Sequence, residues 1–107
     1  MASSFKNASC AVGITPTVIY TAGVALNAAV IHGLFFANTN LSATVSITLE
    51  VFDNSAATTR KILDTVPVPP NTTLSIDKPI NLEPNDIIRA TATSAEIDAF
   101  ASVLELT

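Results

Sequence analysis

The sequence predicts an all-β fold: a single antiparallel β-sandwich, jelly-roll or immunoglobulin-like, of about seven or eight strands behind an extended N-terminal arm. Three observations carry this. Residues 43–53, ATVSITLEVFD, alternate strictly: Ala43, Val45, Ile47, Leu49 and Val51 against Thr44, Ser46, Thr48 and Glu50. Period two over that length is the signature of a half-buried strand. Turn-forming clusters separate apolar runs at the spacing of a sandwich or barrel. The chain has 107 residues, enough for one domain with one core.

Residues 1–14 read as the arm, and residues 15–107 as the sandwich domain. The arm holds Phe5 and the lone Cys10, which reads as a small apolar residue or inert thiol. One cysteine forms no internal disulfide, and with one histidine it builds no zinc site. Thr15, Pro16 and Thr17 break the N-terminal apolar stretch, so a signal peptide is not expected.

TVIYTAG, residues 17–23, is a first strand ending at Gly23. AVIHGLFFAN, residues 29–38, is the next. One of its faces carries Val30, His32, Leu34 and Phe36, the other Ala29, Ile31, Gly33, Phe35 and Ala37. Both are largely apolar, which is unusual where one side of a sheet is wet. One face is expected on the core, and the other on a second subunit, the arm or a loop. A membrane span is excluded. The apolar stretch Ala22 to Ala37 is interrupted by Asn27, His32 and Gly33 and is shorter than the ~20 residues a spanning helix needs.

ANTNLS, residues 37–42, supplies turn chemistry. It is expected to join residues 29–38 and 43–53 as a long hairpin. TRKILDTV, residues 59–66, is a further strand after the turn DNSAATT. The prolines of VPVPP, residues 66–70, have no backbone donor and belong at an edge or in a loop. Leu74 with Ile76, and Ile80 with Leu82, mark two short strands around Asp77-Lys78-Pro79. EPND, residues 83–86, is a turn in which Asn85 takes a left-handed conformation. IIRATATS, residues 87–94, sets Ile88, Ala90 and Ala92 against Arg89, Thr91 and Thr93. IDAFASVLELT closes the chain with muddled alternation, Phe100, Leu104 and Leu106 on one phase and Ile97, Ala99 and Val103 on the other. It reads as a strand with a bulge or two buried sides, with a helix as the alternative.

Charged residues make up 13% of the chain, about half the usual share, and the net charge is −4. Mean hydropathy is +0.48. An exterior so poor in charge is one that other protein copies cover. Nucleic acid is excluded as a partner, since Arg60-Lys61 is the only basic pair. No nucleotide-binding, nucleophile-elbow, zincin or EF-hand pattern occurs. Asp53, Asp64, Asp77, Asp86 and Asp98 are spread singly near turns and strand ends, so no metal site, cofactor or catalytic residue is expected. His32 lacks the nucleophile and orienting acid that a general base requires and reads as a packed strand histidine. The triplets at Asn7, Asn40 and Asn71 match the glycosylation pattern at chance frequency. With no Trp and one Tyr, the chain lacks the aromatic platforms of sugar-binding sandwiches.

The order TVIYTAG, AVIHGLFFANTN, ATVSITLEVFD, VPVPPNTTLSID, INLEPNDIIRATA, SVLELT resembles small β-sandwich virion proteins of tailed bacteriophages. The resemblance spans residues 15–107. It rests on the Asn-containing turn, the Pro-x-x-x-x-Leu segment ending at Leu74, and Leu82, Asp86, Ser102 and Glu105. Asn85 stands where many such sequences have Gly. The resemblance implies a non-enzymatic virion protein, foremost a capsid decoration or cement protein, with a neck, tail or fibre protein as the alternative. It implies a homo-oligomer, often a trimer, that binds the major capsid protein or other virion proteins after synthesis in the host cytoplasm. Phe5, Ile31, Phe35, Pro67, Pro69 and Pro70 are the residues expected to carry those contacts. An adhesive module for glycan or a host surface is the reading from a different class, motivated by the Thr-rich outer faces.

Overall fold

A computed structural model describes residues 2–107. The strands are β1 (Ser3–Val12), β2 (Thr17–Thr21), β3 (Ala28–Asn38), β4 (Val45–Asp53), β5 (Thr58–Val68), β6 (Thr73–Ile76), β7 (Ile80–Leu82), β8 (Ile87–Ala92) and β9 (Ile97–Leu106). No helix occurs among the described residues. The closing segment is therefore strand throughout. Ile97, Ala99, Ala101 and Val103 point inward and Phe100 outward.

Every pairing is antiparallel and the pattern is nested. β1 pairs with β9, β2 with β8, β3 with β6 and β7, and β4 with β5. That is one long two-stranded ribbon folded at the β4–β5 hairpin. Rolling the ribbon up brings β3 beside β9 and β4 beside β8. Two sheets result, ordered β1-β9-β3-β6 with β7 also on β3, and β2-β8-β4-β5. Counting β6 and β7 as one interrupted strand gives eight, and the wrapping is that of a jelly roll. The interruption falls at Asp77-Lys78-Pro79, where proline cannot donate to a ladder.

The core lies between the sheets. Ile31, Leu34 and Phe36 of β3 and Val103 of β9 meet Ile47 and Leu49 of β4 and Ile88 of β8, all buried. Burying side chains of this size contributes roughly 1.5–3 kcal/mol each.

Two expectations are corrected here. β3 and β4 do not form a hairpin. They lie in different sheets, and residues 39–44 cross from one to the other. The buried Asn38 fixes that crossing. Its Nδ2 donates to the carbonyls of Ala43 at 3.0 Å and Val68 at 2.9 Å, tying the end of β3 to the end of β5. Its Oδ1 accepts the Asn40 N–H at 2.9 Å, and Asn40 Oδ1 accepts the N–H groups of Ser42 and Ala43. The turn chemistry is as expected, but it turns the chain between layers.

Ile31 is the second correction. It is 1% exposed and belongs to the core, so it makes no outside contact. The β3–β9 register shifts between Ile31 and Gly33. This bulge at His32 reverses the alternation: Ala29 and Ile31 point inward before it, Leu34 and Phe36 after it. Strict period two placed Ile31 and Phe35 on one face, and the extra residue separates them.

Residues 3–12, expected within the arm, form β1 and pair with β9 along their whole length. Their sequence has no proline or glycine to interrupt pairing. The edge this strand presents is ten residues long and regular. The opposite edge, β5, is irregular. It carries Pro67, the charges Arg60 and Lys61, and a bulge where Thr65 adopts φ 53° and its N–H donates to Thr48 Oγ1 at 3.1 Å. Such features block edge-to-edge pairing.

Candidate interaction face

The two outer faces differ in chemistry. On the β2-β8-β4-β5 sheet, outward positions of β4 and β8 are mostly polar, Ser46, Thr48 and Glu50 beside Arg89 and Thr91, with Phe52 and Ile87 paired at one end. Glu50 and Arg89 are cross-strand partners, with Nε 3.5 Å from Oε1, and the Arg89 guanidinium also donates to Thr59 Oγ1.

The outer face of the β1-β9-β3-β6 sheet carries more apolar side chains, arranged by the register in rows across β1, β9 and β3, with Thr73, Ser75 and Asn81 outward on β6 and β7. Phe5, Leu104 and Val30 lie side by side across β1, β9 and β3. Next along the strands come Asn7, Ser102 and Gly33, then Ser9, Phe100 and Phe35. The outer rows are Ser3, Leu106 and Ala28 at one end, and Ala11, Asp98 and Ala37 at the other. The ionisable groups on this face are Asp98 in the last row and His32 at the bulge. Phe5 is 81% exposed, Phe35 40% and Phe100 41%. A groove of about 610 Å³ opens around Phe35 and Phe100, lined also by Ser9, Ala37, Thr73 and Asp98.

His32 meets the ring of Phe5 edge-to-face, centroids 5.8 Å apart at 76°. The two side chains reach each other over β9, beside Leu104 and Ser102. Cys10 borders the groove. Burial raises its thiol pKa above the ordinary value, and the nearby Asp98 charge raises it further. A protonated thiol is a poor nucleophile.

Of the expected contact residues, Phe5 and Phe35 share this face. Pro67 and Pro69 are exposed and Pro70 half-buried at the far edge of the other sheet, beside β5. Ile31 is in the core. Phe100 and Leu104 were not singled out, although they share an out-of-phase set in the closing segment. That set was the signal.

The acidic residues are less dispersed than their sequence positions imply. Asp53, Glu83 and Asp86 place carboxylate oxygens within 4.8 Å of one another. Asp86 is buried and spent on backbone: its oxygens accept the N–H groups of Asn54 and Glu83, each at 2.8 Å. The Ser55 hydroxyl lies 2.9 Å from both Asp53 Oδ1 and Glu83 Oε1. These bonds pin the β4–β5 turn to the β7–β8 turn, where Asn85 takes φ 71° as its sequence context requires.

The fold defines a jelly-roll sandwich. No protein-family model matches the chain, and no curated protein sequence matches it. Among solved structures, it is similar to a subunit of Bacillus endospore appendages, described as disulfide-linked pili, at 11% identity and TM-score 0.57 over 99% of this chain and 87% of that one. It is also similar to a pentameric capsid protein from metagenomic phage sequences, at 17% identity and TM-score 0.50 over 96% of this chain. The chain spans 61% of that protein's length. At these identities the likeness is one of fold.

Proposed function

We propose that the chain is a non-catalytic structural subunit of a virus particle, most specifically a capsid decoration or cement protein of a tailed bacteriophage. The observation that carries the reading is the apolar outer face of the β1-β9-β3-β6 sheet on a chain with few charges. On a chain this poor in charge, such a face marks a surface that another protein covers. The jelly-roll wrapping, the order of segments and the likeness in fold to a phage capsid protein support the particle as the place where it is covered. The free β1 edge supports self-association through strand addition. The homo-oligomer, a trimer by the sequence resemblance, binds shell subunits and acts by adhesion alone.

Mass spectrometry of purified particles with absolute copy number tests this. Hundreds of copies are expected for a shell component. A few copies would move the protein to the neck, tail or fibre, and absence from the particle would overturn the reading.

A second reading, a subunit of an extracellular filament, is favoured by the higher TM-score and fuller overlay with the endospore appendage subunit. Electron microscopy of the purified protein separates the two. Filaments grown from the isolated chain would favour this second reading, and binding to preformed capsids the first.

A further inference from the structure

The sandwich has one long regular edge, β1, and its backbone carries an inference about how copies join. We propose that β1 pairs antiparallel with β1 of a second copy, about a two-fold axis perpendicular to the sheet at Asn7, so that two sheets become one. This rests on the self-association reading and specifies its geometry.

The ladder fixes which groups of β1 are open. Ala2 and Thr107 exchange both of their backbone bonds, at 3.0 and 2.9 Å. In an antiparallel ladder such pairs alternate with unbonded ones. Counted along the register, Ser4, Lys6, Ala8, Cys10 and Val12 spend their N–H and C=O groups on β9. Those of Ser3, Phe5, Asn7, Ser9 and Ala11 point away from it, and all five residues are exposed. The far flank of β9 has the matching parity: Thr39 donates to the Glu96 carbonyl at 2.9 Å, which turns the even-numbered residues of β9 toward β3. The Phe5 ring leans over β9 onto His32 and leaves the edge clear.

Within the described residues, no other edge of a second copy receives this one. β6 and β7 have four and three residues and part at Pro79. β2 has five, with a register shift between Val18 and Tyr20. β5 carries Pro67 and the bulge at Thr65. β1 has no proline, glycine or register shift. Strand addition between copies therefore joins β1 to β1. With Asn7 on the axis, Asn7 meets Asn7 of the second copy, Phe5 meets Ser9 and Ser3 meets Ala11. Every open residue of both edges then has a bonded partner. Lys6, the one charge on the strand, stands opposite Ala8. An axis at Lys6 would oppose the two lysines, which destabilises a pair of strands. An axis at Ala8 would set Ser3 on Gly13, whose N–H already donates to Thr17 and whose carbonyl already accepts from Ala92. The contact is isologous and closes on two copies, so a larger ring uses another surface as well.

Sedimentation velocity and NMR hydrogen exchange of the full chain, from micromolar to millimolar concentration, are the test. The wild type is expected to dimerise. The amides of Phe5, Asn7, Ser9 and Ala11 are expected to exchange freely in the dilute chain and to slow as the dimer forms, while those of Lys6, Ala8 and Cys10 are protected throughout. Asn7→Pro removes an open donor and no bond to β9. It is expected to weaken the dimer about 100-fold, through the two bonds lost at the axis, with the melting temperature of the dilute chain near the wild-type value. Ala8→Pro cuts the β1–β9 ladder and is expected to lower that temperature. A wild type that stays monomeric throughout would overturn both the proposal and the self-association reading. An oligomer indifferent to Asn7→Pro, or one that leaves the Phe5 and Asn7 amides unprotected, would overturn this geometry alone. Asn7→Pro melting as low as Ala8→Pro would overturn the assignment of the open groups. A dimer that behaves as expected while the protein is absent from virus particles would overturn the virion reading alone.

Discussion

Replacing Asn38 by alanine removes the clasp between the two sheets. The amide is buried and donates to Ala43 O and Val68 O at 3.0 and 2.9 Å, while its oxygen accepts the Asn40 N–H at 2.9 Å. Each such bond contributes about 1 kcal/mol net, and a buried carbonyl left without a donor costs more. The sum is a loss of about 3 kcal/mol, a large part of the stability of a domain this size. It corresponds to a fall of roughly 15 °C in melting temperature. Urea unfolding followed by far-UV circular dichroism is the assay, because the chain has no Trp and a single Tyr. The midpoint is expected to drop with an unchanged slope. Asn38→Asp sharpens the test. It keeps the acceptor but sets a carboxylate against two carbonyls, so at neutral pH it is expected to destabilise more than alanine. A loss under about 1 kcal/mol for alanine, or an aspartate milder than the alanine, would refute the reasoning.

Three further outcomes are expected. Ile31→Ala is expected to cost about 2–5 kcal/mol and Phe35→Ala under about 1 kcal/mol, measured by the same unfolding; similar losses would contradict the bulge at His32. Thr65→Asn is expected to stabilise by about 1 kcal/mol, because a β-branched residue at φ 53° is strained and asparagine tolerates that region. Tyr20 hydrogen-bonds the Glu105 carboxylate. Burial foremost, then that bond and the carboxylate charge, raise the Tyr20 pKa well above the ordinary phenol range. The fold favours the protonated phenol, so this contribution is complete below about pH 10 and is lost as pH rises beyond it. Melting temperatures across the alkaline range are expected to fall less steeply for Tyr20→Phe than for wild type.

Local alternation made most strands legible. β4, β8 and the paired short strands β6 and β7 stand where their apolar positions put them, and Asn85 takes the left-handed conformation its turn demands. Partnership was not legible. Alternation says which way a side chain points and nothing about which strand lies alongside, so β3 and β4 looked like a hairpin while Asn38 sends them into different layers. The bulge at His32 was hidden for a related reason. A register shift depends on the neighbouring strand β9, and on both sides of it β3 is equally apolar. Of the apolar positions on the outer face of the β1-β9-β3-β6 sheet, Phe5 and Phe35 were legible from the sequence. Phe100 and Leu104 needed the register that sets them between β1 and β3.

The nested ribbon also dictates an order of events during synthesis. Its hairpin bend, β4–β5, joins neighbours in sequence, whereas β1 waits for β9, the strand farthest from it along the chain. Ala2 and Thr107 bond each other through both backbone groups, closing the widest loop of all. Loop closure makes such distant pairing slow. Until β9 has been made, then, β1 lacks its partner strand, and its backbone groups are open to pairing with another chain.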